Sequence, residues 1–387
     1  MRGGMEQREI VVVGAGPAGS TAAIALSQQG HDVLLIDRQT FPRDKPCGDG
    51  MPVGVTEMVY DLGLKEVFDQ ADFYPIDRVC LVSPAGYIYE GKLRMGKQGS
   101  KAHVIPRLQF DALLQAQAVR AGAEFFQARV TAPIVENGQV HGVKAQGAAG
   151  LLEIRARLVL AADGATSVIS RALQPQRPPD VHRAVALRAY MEDLEVRPHQ
   201  VEFFLHREIL PGYAWIFPMD AQKANIGLGM RLDKFRQQQL SLEQLLENFL
   251  ALPFMKERIR GNGRLHDVAT WQLNFGSQKR LQRAFDGALL LGDAGWLIDP
   301  LTGGGIENGM MSALLAAQTA HQALQQGDFS RRMLHGYERA CQAALWPVMR
   351  RSYLIQRWVL RYPWLLDGLI KYARNHPHLT NIFLAKL

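Results

Sequence analysis

The chain has 387 residues, of which 47% are hydrophobic and 21% are charged, a composition typical of globular rather than disordered proteins. This length can hold two domains, each with its own core. The net charge is +7, yet residues 331–387 alone carry ten Lys/Arg and two Asp/Glu, a net of +8. The rest of the chain is nearly neutral, which argues against a nucleic-acid-binding protein with a broadly basic surface.

No apolar run approaches the ~20 residues of a membrane-spanning helix. The first residues, MRGGMEQREIVVVG, do not read as a signal peptide, because their apolar run leads directly into a glycine-rich turn. Cys47, Cys80 and Cys341 are far apart in the chain, so we expect neither a disulfide framework nor a metal site. We therefore expect a cytoplasmic protein.

The first predicted element is a strand, turn and helix with the sequence EIVVVG, AGPAG and STAAIALSQQG. Gly14, Gly16 and Gly19 have the G-x-G-x-x-G spacing, which allows a tight turn, close approach of a pyrophosphate and close packing of helix on strand. The pyrophosphate would bind at the helix N-terminus, beside Pro17 and Ala18, where free N–H groups favour an anion.

A second apolar strand, DVLLID, ends at Asp37 and is followed by Arg38. An acidic residue at this point is well placed to bind ribose hydroxyls. The combination of strand, glycine turn, helix and acid predicts a dinucleotide site.

Arg107 stands at the start of a predicted helix in VIPRLQFDALLQAQAVRAGA. A cation is unfavourable there, because the helix dipole is positive at its N-terminus. Two interpretations remain open, a surface arginine and an arginine that contacts a bound anion, and the position favours the anion.

Two later stretches again predict a strand, a turn and a helix. LVLAADGATSVISRAL turns at Asp163 and Gly164, and GALLLGDAGWLIDPLTGGGIENGMMSA turns at Gly292 and Asp293 before a glycine cluster. Each carboxylate taken alone is best interpreted as a helix cap.

Together with the first motif, however, the two stretches point to FAD. Asp293 is placed to hold the ribityl chain of a flavin. A helix that begins near Gly304, Gly305 and Ile306 would direct its positive end at the negative pyrimidine of the isoalloxazine.

The stretches between these motifs are rich in predicted strands. RVCLVSPAGYIYEG predicts a hairpin around Pro84 to Gly86, and residues 183–230 contain several alternating runs. Within them, GYAWIFP places Tyr213, Trp215 and Phe217 at alternate positions before Pro218, which predicts a strand with one face of rings. The rings either form the core between sheet and helices or line a ligand chamber.

The C-terminal segment predicts a basic amphipathic helix that ends before Pro363. On a helical wheel, one side carries Arg350, Arg357 and Arg361, and the opposite side carries Val348, Ile355 and Val359. A second apolar patch follows, made of Trp364, Leu365, Leu366, Leu369 and Ile370. Such a segment either contacts an anionic membrane surface or packs on its own domain with its arginines in water.

From about Glu9 to Leu324, the chain resembles the FAD-dependent oxidoreductases built like the aromatic hydroxylases. In that group the three motifs occur in this order and line FAD, and Arg107 matches an arginine beside the cofactor. The resemblance implies a Rossmann-like α/β fold whose discontinuous FAD-binding domain comprises residues 1–75, 102–180 and 276–330. An inserted antiparallel substrate domain would comprise 76–101 and 181–275, with QRPPD (176–180) as a crossing, and 331–387 would form a helical C-terminal segment.

PGYAWIFP also resembles a signature of the geranylgeranyl reductase family, flavoproteins that saturate isoprenoid double bonds. The usual form is P-x-x-Y-x-W-x-F-P, whereas Pro211 stands two residues before Tyr213 here. The resemblance implies that Tyr213, Trp215, Phe217 and Pro218 contact a long apolar substrate.

RDKPCGDGMPVG supports the same resemblance, because family members have a cysteine followed by glycines near the flavin. The resemblance places Cys47 and Gly48 beside the cofactor. Saturating an alkene takes a hydride at one carbon and a proton at the other, and Cys47 either donates that proton, shapes the pocket or is an inert cysteine in a turn.

The sequence thus favours an FAD-dependent reductase of a polyprenyl or other lipid-like alkene. An FAD-dependent monooxygenase or halogenase acting on an aromatic or quinone-like substrate is the alternative, and an electron-relay flavoprotein is a third. We expect non-covalent FAD, because no attachment motif is recognisable. No second G-x-G-x-x-G follows a strand, so the reductant is either NAD(P)H, bound without its own Rossmann domain, or a protein electron donor.

Overall fold

The structure, a computed structural model, describes residues 7–278 and 281–376. The chain divides into two compact units, each assembled from three segments. The first unit comprises 1–44, 107–178 and 274–350, and the second comprises 45–106, 179–273 and 351–387. The predicted crossing at QRPPD contains the passage from Pro178 in the first unit to Pro179 in the second.

The described residues form eighteen strands and twelve α-helices. The strands are β1 (Gln7–Val13), β2 (Val33–Asp37), β3 (Gly50–Met51), β4 (Tyr74–Ile76), β5 (Arg78–Val82), β6 (Ile88–Lys92), β7 (Ala102–Val104), β8 (Glu124–Gln127), β9 (Arg129–Glu136), β10 (Gln139–Gly147), β11 (Gly150–Ala161), β12 (Arg183–Leu194), β13 (Gln200–Phe204), β14 (Tyr213–Pro218), β15 (Ala224–Arg231), β16 (Ile259–Asn274), β17 (Ala284–Phe285) and β18 (Ala288–Leu290). The helices are α1 (Pro17–Gln28), α2 (Val53–Val59), α3 (Lys65–Gln70), α4 (Arg107–Arg120), α5 (Val168–Leu173), α6 (Leu232–Phe235), α7 (Leu242–Leu250), α8 (Pro253–Arg258), α9 (Ile306–Gln326), α10 (Arg331–Ala344), α11 (Trp346–Leu354) and α12 (Pro363–Asn375).

The first unit is built on an eight-stranded sheet in the order β17-β18-β11-β1-β2-β8, with β10 beside β11 and β9 beside β10. The pairs from β18 through β11, β1 and β2 to β8 are all parallel. The central strand β1 is apolar because it is covered on both faces, and residues 10–13 are at most 3% exposed. Helix α1 packs against α4 and α9, which gives the layered α/β arrangement of a Rossmann-like domain.

The second unit contains a seven-stranded sheet in the order β16-β12-β15-β14-β13-β5-β6 and a three-stranded sheet in the order β3-β7-β4. Strands β12 and β15, β15 and β14, β14 and β13, and β5 and β6 pair antiparallel, whereas β13 and β5 pair parallel. The predicted hairpin is confirmed as β5 and β6, whose turn is closed by the bond from the Gly86 N–H to the Ser83 carbonyl at 2.9 Å.

The two faces of the seven-stranded sheet differ in composition. One face carries Leu187, Ile216, Ile226 and Leu228, which pack with residues of α7 and α8 such as Phe249 in an apolar core. The alternate positions carry the rings of β14 on the opposite face, where they pack with residues of the three-stranded sheet. The period-2 pattern of GYAWIFP is therefore confirmed as a strand with its rings on one face.

The predicted α/β class is confirmed, with a parallel sheet, an additional antiparallel sheet and C-terminal helices. Several stretches lie in a different unit from the predicted one. Residues 45–75 and 102–106, predicted in the FAD-binding domain, belong to the second unit, because β3 and β4 both pair with β7. Residues 331–350 belong to the first unit, where α10 packs on α9 and β17.

The predicted end of the basic helix before Pro363 is confirmed, but the segment before Pro363 is not α-helical throughout. Helix α11 continues into a π-helical turn at Ile355–Val359, and α12 then begins at Pro363. A π turn has more residues per turn than the 3.6 of an α-helix, so a wheel drawn at 100° per residue fails beyond Leu354. Val348 lies before this turn, and although the wheel placed it on the apolar side it is 46% exposed.

Candidate functional site

The glycine turn after β1 is packed too tightly for side chains at two of its three glycines. Gly14 has φ +95°, and a Cβ on it would lie 2.5 Å from the carbonyl oxygen of Ala162. A Cβ on Gly19 would lie only 1.7 Å from the carbonyl oxygen of Gly14. Main chain fills these spaces, so the glycines let α1 and β11 approach β1 closely, as the spacing predicted.

The N-terminus of α1 lies beside two arginines of the same unit. Gly16 is the N-cap residue, and no side chain caps the helix. A Cβ on Gly16 would meet the guanidinium of Arg43 at 3.6 Å and that of Arg107 at 3.8 Å. Free helix N–H groups and two cations at one point are suited to a pyrophosphate.

Asp111, which the sequence analysis missed, holds both arginines. Its carboxylate accepts two bonds from Arg107 at 2.6 Å and one from Arg43 at 2.5 Å. Arg107 is 3% exposed and Asp111 is fully buried, so Arg107 is not the surface arginine considered above. Since an i, i+4 partner offsets its charge, its position at the helix start does not by itself require a bound anion. A contact of Arg107 with the cofactor stays a prediction.

Asp37, at the end of β2, is tied to the glycine turn. One carboxylate oxygen accepts from the Ala15 N–H at 2.8 Å and the other from the Gln39 N–H at 3.0 Å. Arg38 is exposed and lines a polar groove together with Gln127 and Arg129. The acid predicted to bind ribose therefore also orders the turn next to it.

Asp163 lies at the turn after β11 and is partly buried. One of its oxygens accepts from the Val168 N–H at 2.8 Å, which caps α5, and the other oxygen has no hydrogen-bond partner among the described residues. Burial raises the pKa of Asp163. Gly164 follows with φ +80°, which explains why glycine stands at this turn.

The third predicted motif is the turn after β18. Gly292 begins a short 3₁₀ turn with φ +51°, and its N–H donates to Ser312 Oγ at 3.0 Å. Gly305 is the N-cap of the 21-residue helix α9, and its Cβ position lies 2.9 Å from the Asp293 carboxylate. Asp293 thus lies at the N-terminus of α9, together with Gly304 and Ile306.

The structure brings the three motifs together in the first unit. Gly14 contacts Ala162 and Asp163, and the Ala18 side chain lies beside Gly292 and Gly309. Two helix N-termini, two arginines and an orphaned buried carboxylate oxygen therefore lie around one set of glycine turns. These are donors and acceptors suited to a dinucleotide cofactor.

The ring face of the second unit, made of Tyr213, Trp215 and Phe217, is largely buried. The rings of Trp215 and Phe217 are 7% and 9% exposed, and they pack in a cluster with Ile76, Ala102 and Val104 of the three-stranded sheet, Pro218 ending the strand. The rings therefore form part of a hydrophobic core, as one of the two interpretations predicted. Contact between the rings and a substrate stays a prediction.

The Cys47 loop, residues 46–49, lies on this ring face. A Cβ on Gly48 would meet the Phe217 ring at 3.2 Å and the Trp215 indole nitrogen at 3.5 Å. Cys47 is partly exposed, unlike Cys80 and Cys341. The structure thus places predicted substrate residues next to Cys47 and Gly48 within one unit.

Two fully buried polar residues, Asn225 and Asp49, join the loop to the ring face, and the sequence analysis did not select them. The Asn225 amide donates to the Cys47 carbonyl and to Asp49 Oδ2, both at 2.8 Å, and accepts from Trp215 Nε1 at 2.9 Å. Tyr190 donates its hydroxyl proton to the same Asp49 oxygen at 2.7 Å. Asn is depleted in strands, so Asn225 within the apolar run of β15 is the one signal that was available.

The C-terminal helices expose several large apolar side chains. Trp358 is 60% exposed and Trp364 is 70% exposed, together with Leu369 and Tyr372, whereas Leu366 and Ile370 of the predicted apolar patch are buried. Exposed basic residues accompany them, namely Arg357, Arg361, Lys371 and Arg374. Among the described residues, every helix is too short or too polar to cross a membrane.

Comparison with known proteins places these features in a family context. Residues 7–352 of this chain match the model of a family described as FAD binding domain. Digeranylgeranylglycerophospholipid reductase from Methanosphaerula palustris is 32% identical over 359 residues, which cover 91% of this chain and 86% of the relative.

Solved structures share the same fold. A geranylgeranyl bacteriochlorophyll reductase-like protein from Thermoplasma acidophilum matches with a TM-score of 0.84 and 27% identity, covering 95% of this chain and 91% of that chain. A myxobacterial chondrochloren halogenase matches with a TM-score of 0.75 and 21% identity, covering 87% and 79% of the two chains. At that identity the halogenase shows the fold alone.

Proposed function

Because this chain belongs to the geranylgeranyl reductase family of FAD-dependent oxidoreductases, we propose that it saturates carbon–carbon double bonds of a polyprenyl lipid. The observation that carries the proposal is the identity of 32% to a digeranylgeranylglycerophospholipid reductase across 91% of the chain. The ring face supports it, since burying each methylene of a long apolar chain contributes about 0.8 kcal/mol.

FAD is the cofactor, and we propose that the turns of the first unit hold it. The N-terminus of α1 with Arg43 and Arg107 would bind the pyrophosphate, Asp37 a ribose, and Asp293 with the N-terminus of α9 the ribityl chain and pyrimidine. When bound, FAD supplies the hydride for one carbon of the double bond. We expect the cofactor to be non-covalent, so acid precipitation would release the yellow colour into the supernatant, whereas flavin retained in the pellet would contradict this.

Cys47 is the residue we propose for the second half of the reaction. Its thiol is partly exposed in a loop that contacts Trp215 and Phe217 through Gly48. A group in this position can give a proton to the other carbon of the double bond. Cys47→Ser should retain a weaker proton donor and Cys47→Ala none. We therefore expect a graded loss of turnover with unchanged FAD content. Equal turnover by the parent and both variants would limit Cys47 to shaping the loop.

One experiment separates reduction from the alternative of oxygenation or halogenation. The dithionite-reduced holoprotein is incubated without oxygen with a polyprenyl phospholipid, and the product mass is measured. Saturation adds hydrogen without oxygen, whereas hydroxylation and halogenation both need oxygen. A product that forms only after oxygen is admitted would overturn the proposal.

The reductant of the bound flavin is expected to be NAD(P)H or a small electron-transfer protein. Anaerobic mixing with NADPH, NADH or reduced ferredoxin, followed by the flavin absorbance, distinguishes them. Bleaching by ferredoxin alone would assign a protein donor.

We further propose that the C-terminal segment contacts the surface of an anionic membrane, where a lipid substrate resides. The exposed tryptophans and the basic residues beside them support this, because aromatic rings and cations together favour such a surface. Helix α12 also packs on the β5–β6 hairpin, where Asp367 accepts from Ser83 Oγ at 2.7 Å. Truncating α12 would therefore disturb the second unit, and point variants are the better test.

The membrane test compares Trp358→Ala/Trp364→Ala with Leu151→Ala, a control in the first unit whose side chain is 79% exposed. We expect roughly tenfold weaker binding of the double variant to phosphatidylglycerol vesicles, or about 1.4 kcal/mol, with unchanged FAD content. The binding of the parent protein should also weaken with salt. Equal vesicle binding by the double variant and the control would favour the interpretation of a packed helix.

A further inference from the structure

Asn225 occupies an unusual position for a side-chain amide. It lies within β15, between Ala224 and Ile226 of the apolar core, and its side chain points to the opposite face of the sheet with 0% exposure. Burying an amide in a strand is costly unless hydrogen bonds compensate. The three bonds from Asn225 to Cys47, Asp49 and Trp215 provide this compensation, so packing alone does not explain the residue.

Asp49 is the second half of the arrangement. It is fully buried with φ +62°, a left-handed conformation that Asp and Asn adopt more readily than most residues. Its carboxylate accepts from Asn225 and Tyr190, and its main-chain carbonyl accepts from the Ile105 N–H at 2.9 Å. The end of the Cys47 loop is thereby attached to β15, to β12 and to the residue after β7.

We propose that Asn225 and Asp49 are positioning residues that fix the Cys47 thiol relative to the Trp215 ring. Asn225 contacts both partners, because its amide N–H donates to the Cys47 carbonyl and its amide oxygen accepts from the Trp215 indole N–H. The proposal depends on the proposed function only in giving Cys47 and Trp215 a part in the reaction. The attachment itself can be tested without substrate.

The test uses the chemical reactivity of the cysteines. Cys80 and Cys341 are 0% and 2% exposed, and burial raises their pKa values to about 12 and about 11. Thiolates react with iodoacetamide, so the rapidly alkylated cysteine of the holoprotein should be Cys47, as peptide mass spectrometry would verify. The alkylation rate of Cys47 then reports whether the Cys47 loop is fixed in place, because a loop that moves more freely exposes the thiol more often.

Asn225→Leu keeps the approximate size of the side chain and removes all three bonds. We expect at least fivefold faster alkylation of Cys47, and a fall in kcat with a smaller change in KM. The matched control is Ile226→Val, the next residue of β15, whose side chain packs on the other face of the sheet. It should leave both the alkylation rate and kcat within twofold of the parent protein.

Two milder variants keep the proposal testable if Asn225→Leu does not fold. Asp49→Asn suits the left-handed backbone but removes the charge, and Tyr190→Phe removes one donor. We expect the alkylation rates to rise in the order parent, Tyr190→Phe, Asp49→Asn and Asn225→Leu. In protein labelled with ¹⁵N at the indoles, the Trp215 N–H should also exchange faster in Asn225→Leu.

The outcomes separate this proposal from the proposed function. Parent-like alkylation in folded Asn225→Leu or in Asp49→Asn would overturn the positioning role, and so would equal acceleration in Ile226→Val, which would indicate general loosening. If alkylation follows the expected order but the parent saturates no polyprenyl lipid, the positioning role stands and the proposed function fails.

Discussion

The glycine turn of the first unit is built mainly from main chain, whereas the ring face of the second is built from side chains. Gly14, Gly16 and Gly19 lie within a stretch of six residues. The nearest neighbours of Gly14 and Gly19 are main-chain carbonyl groups, whereas Gly16, at the N-terminus of α1, faces the guanidinium groups of Arg43 and Arg107. The ring face and the Cys47 loop join side chains from β12, β14 and β15 with a loop more than a hundred residues earlier. We expect the glycine turn to tolerate no added side-chain atom. We expect the ring face to lose stability and activity gradually as a side chain is shortened.

The largest effect is expected for Gly19→Ala. The new Cβ would lie 1.7 Å from the Gly14 carbonyl oxygen, and main chain cannot move as a flexible side chain can. We expect a loss of more than about 3 kcal/mol, beyond the usual range for overpacking, with loss of FAD. Chemical unfolding and flavin absorbance measure both.

The control is Gly336→Ala in α10 of the same unit, where the nearest atom would be Thr319 Cγ2 at 3.9 Å. Removing a helical glycine should stabilise by about 0.5–1 kcal/mol. If both variants behave alike, the contrast between main-chain and side-chain sites fails.

The next effect is expected for Trp215→Ala. The ring is 7% exposed and bonds Asn225, so we expect a loss of about 3 kcal/mol, at the lower end for truncating a buried aromatic, together with weaker lipid turnover. Reduction by dithionite should stay normal. Trp215→Phe, which keeps a ring but loses the N–H donor, should fall between the two. A Trp215→Ala protein that is much less stable yet turns over normally in the cold would assign the ring to the core alone.

Asp293→Ala should weaken FAD binding while the fold persists. Hydrogen bonds to a charged group contribute about 1.5–3 kcal/mol, which corresponds to roughly 10- to 100-fold in affinity. Asp328→Ala, just beyond the other end of α9, is the control. Full flavin occupancy in Asp293→Ala at low FAD concentration would show that the turn after β18 does not hold the cofactor.

The smallest effect is expected for Asp163→Asn. Because burial raises the pKa of this carboxyl, the folded chain binds its proton more readily than the unfolded chain does. The stability that this proton contributes is present below the unfolded pKa and is lost as the pH rises through the folded pKa. Asn keeps an oxygen to cap α5, so flavin-depleted Asp163→Asn should lose less stability on raising the pH through this interval than the parent does. Identical pH dependence of the two unfolding curves would contradict the assignment.

The sequence located the three strand–turn–helix motifs and the ring strand, because each depends on spacing within a short segment. It misplaced residues 45–75 and the helical register of the C-terminal segment, because these depend on more than local spacing. Pairing of β3 and β4 with β7 and the π turn after Leu354 are not visible in local periodicity.

What the sequence determined by itself is the set of turns where Gly14, Gly19 and Gly164 are required, since local backbone geometry restricts the residue type. What only the tertiary structure decided is the set of partners: Asp111 for Arg107, and Asn225 with Asp49 for the Cys47 loop. A buried hydrogen bond depends on distance and direction in space, and residues such as Cys47 and Asn225, 178 positions apart, become neighbours only when the sheet has formed.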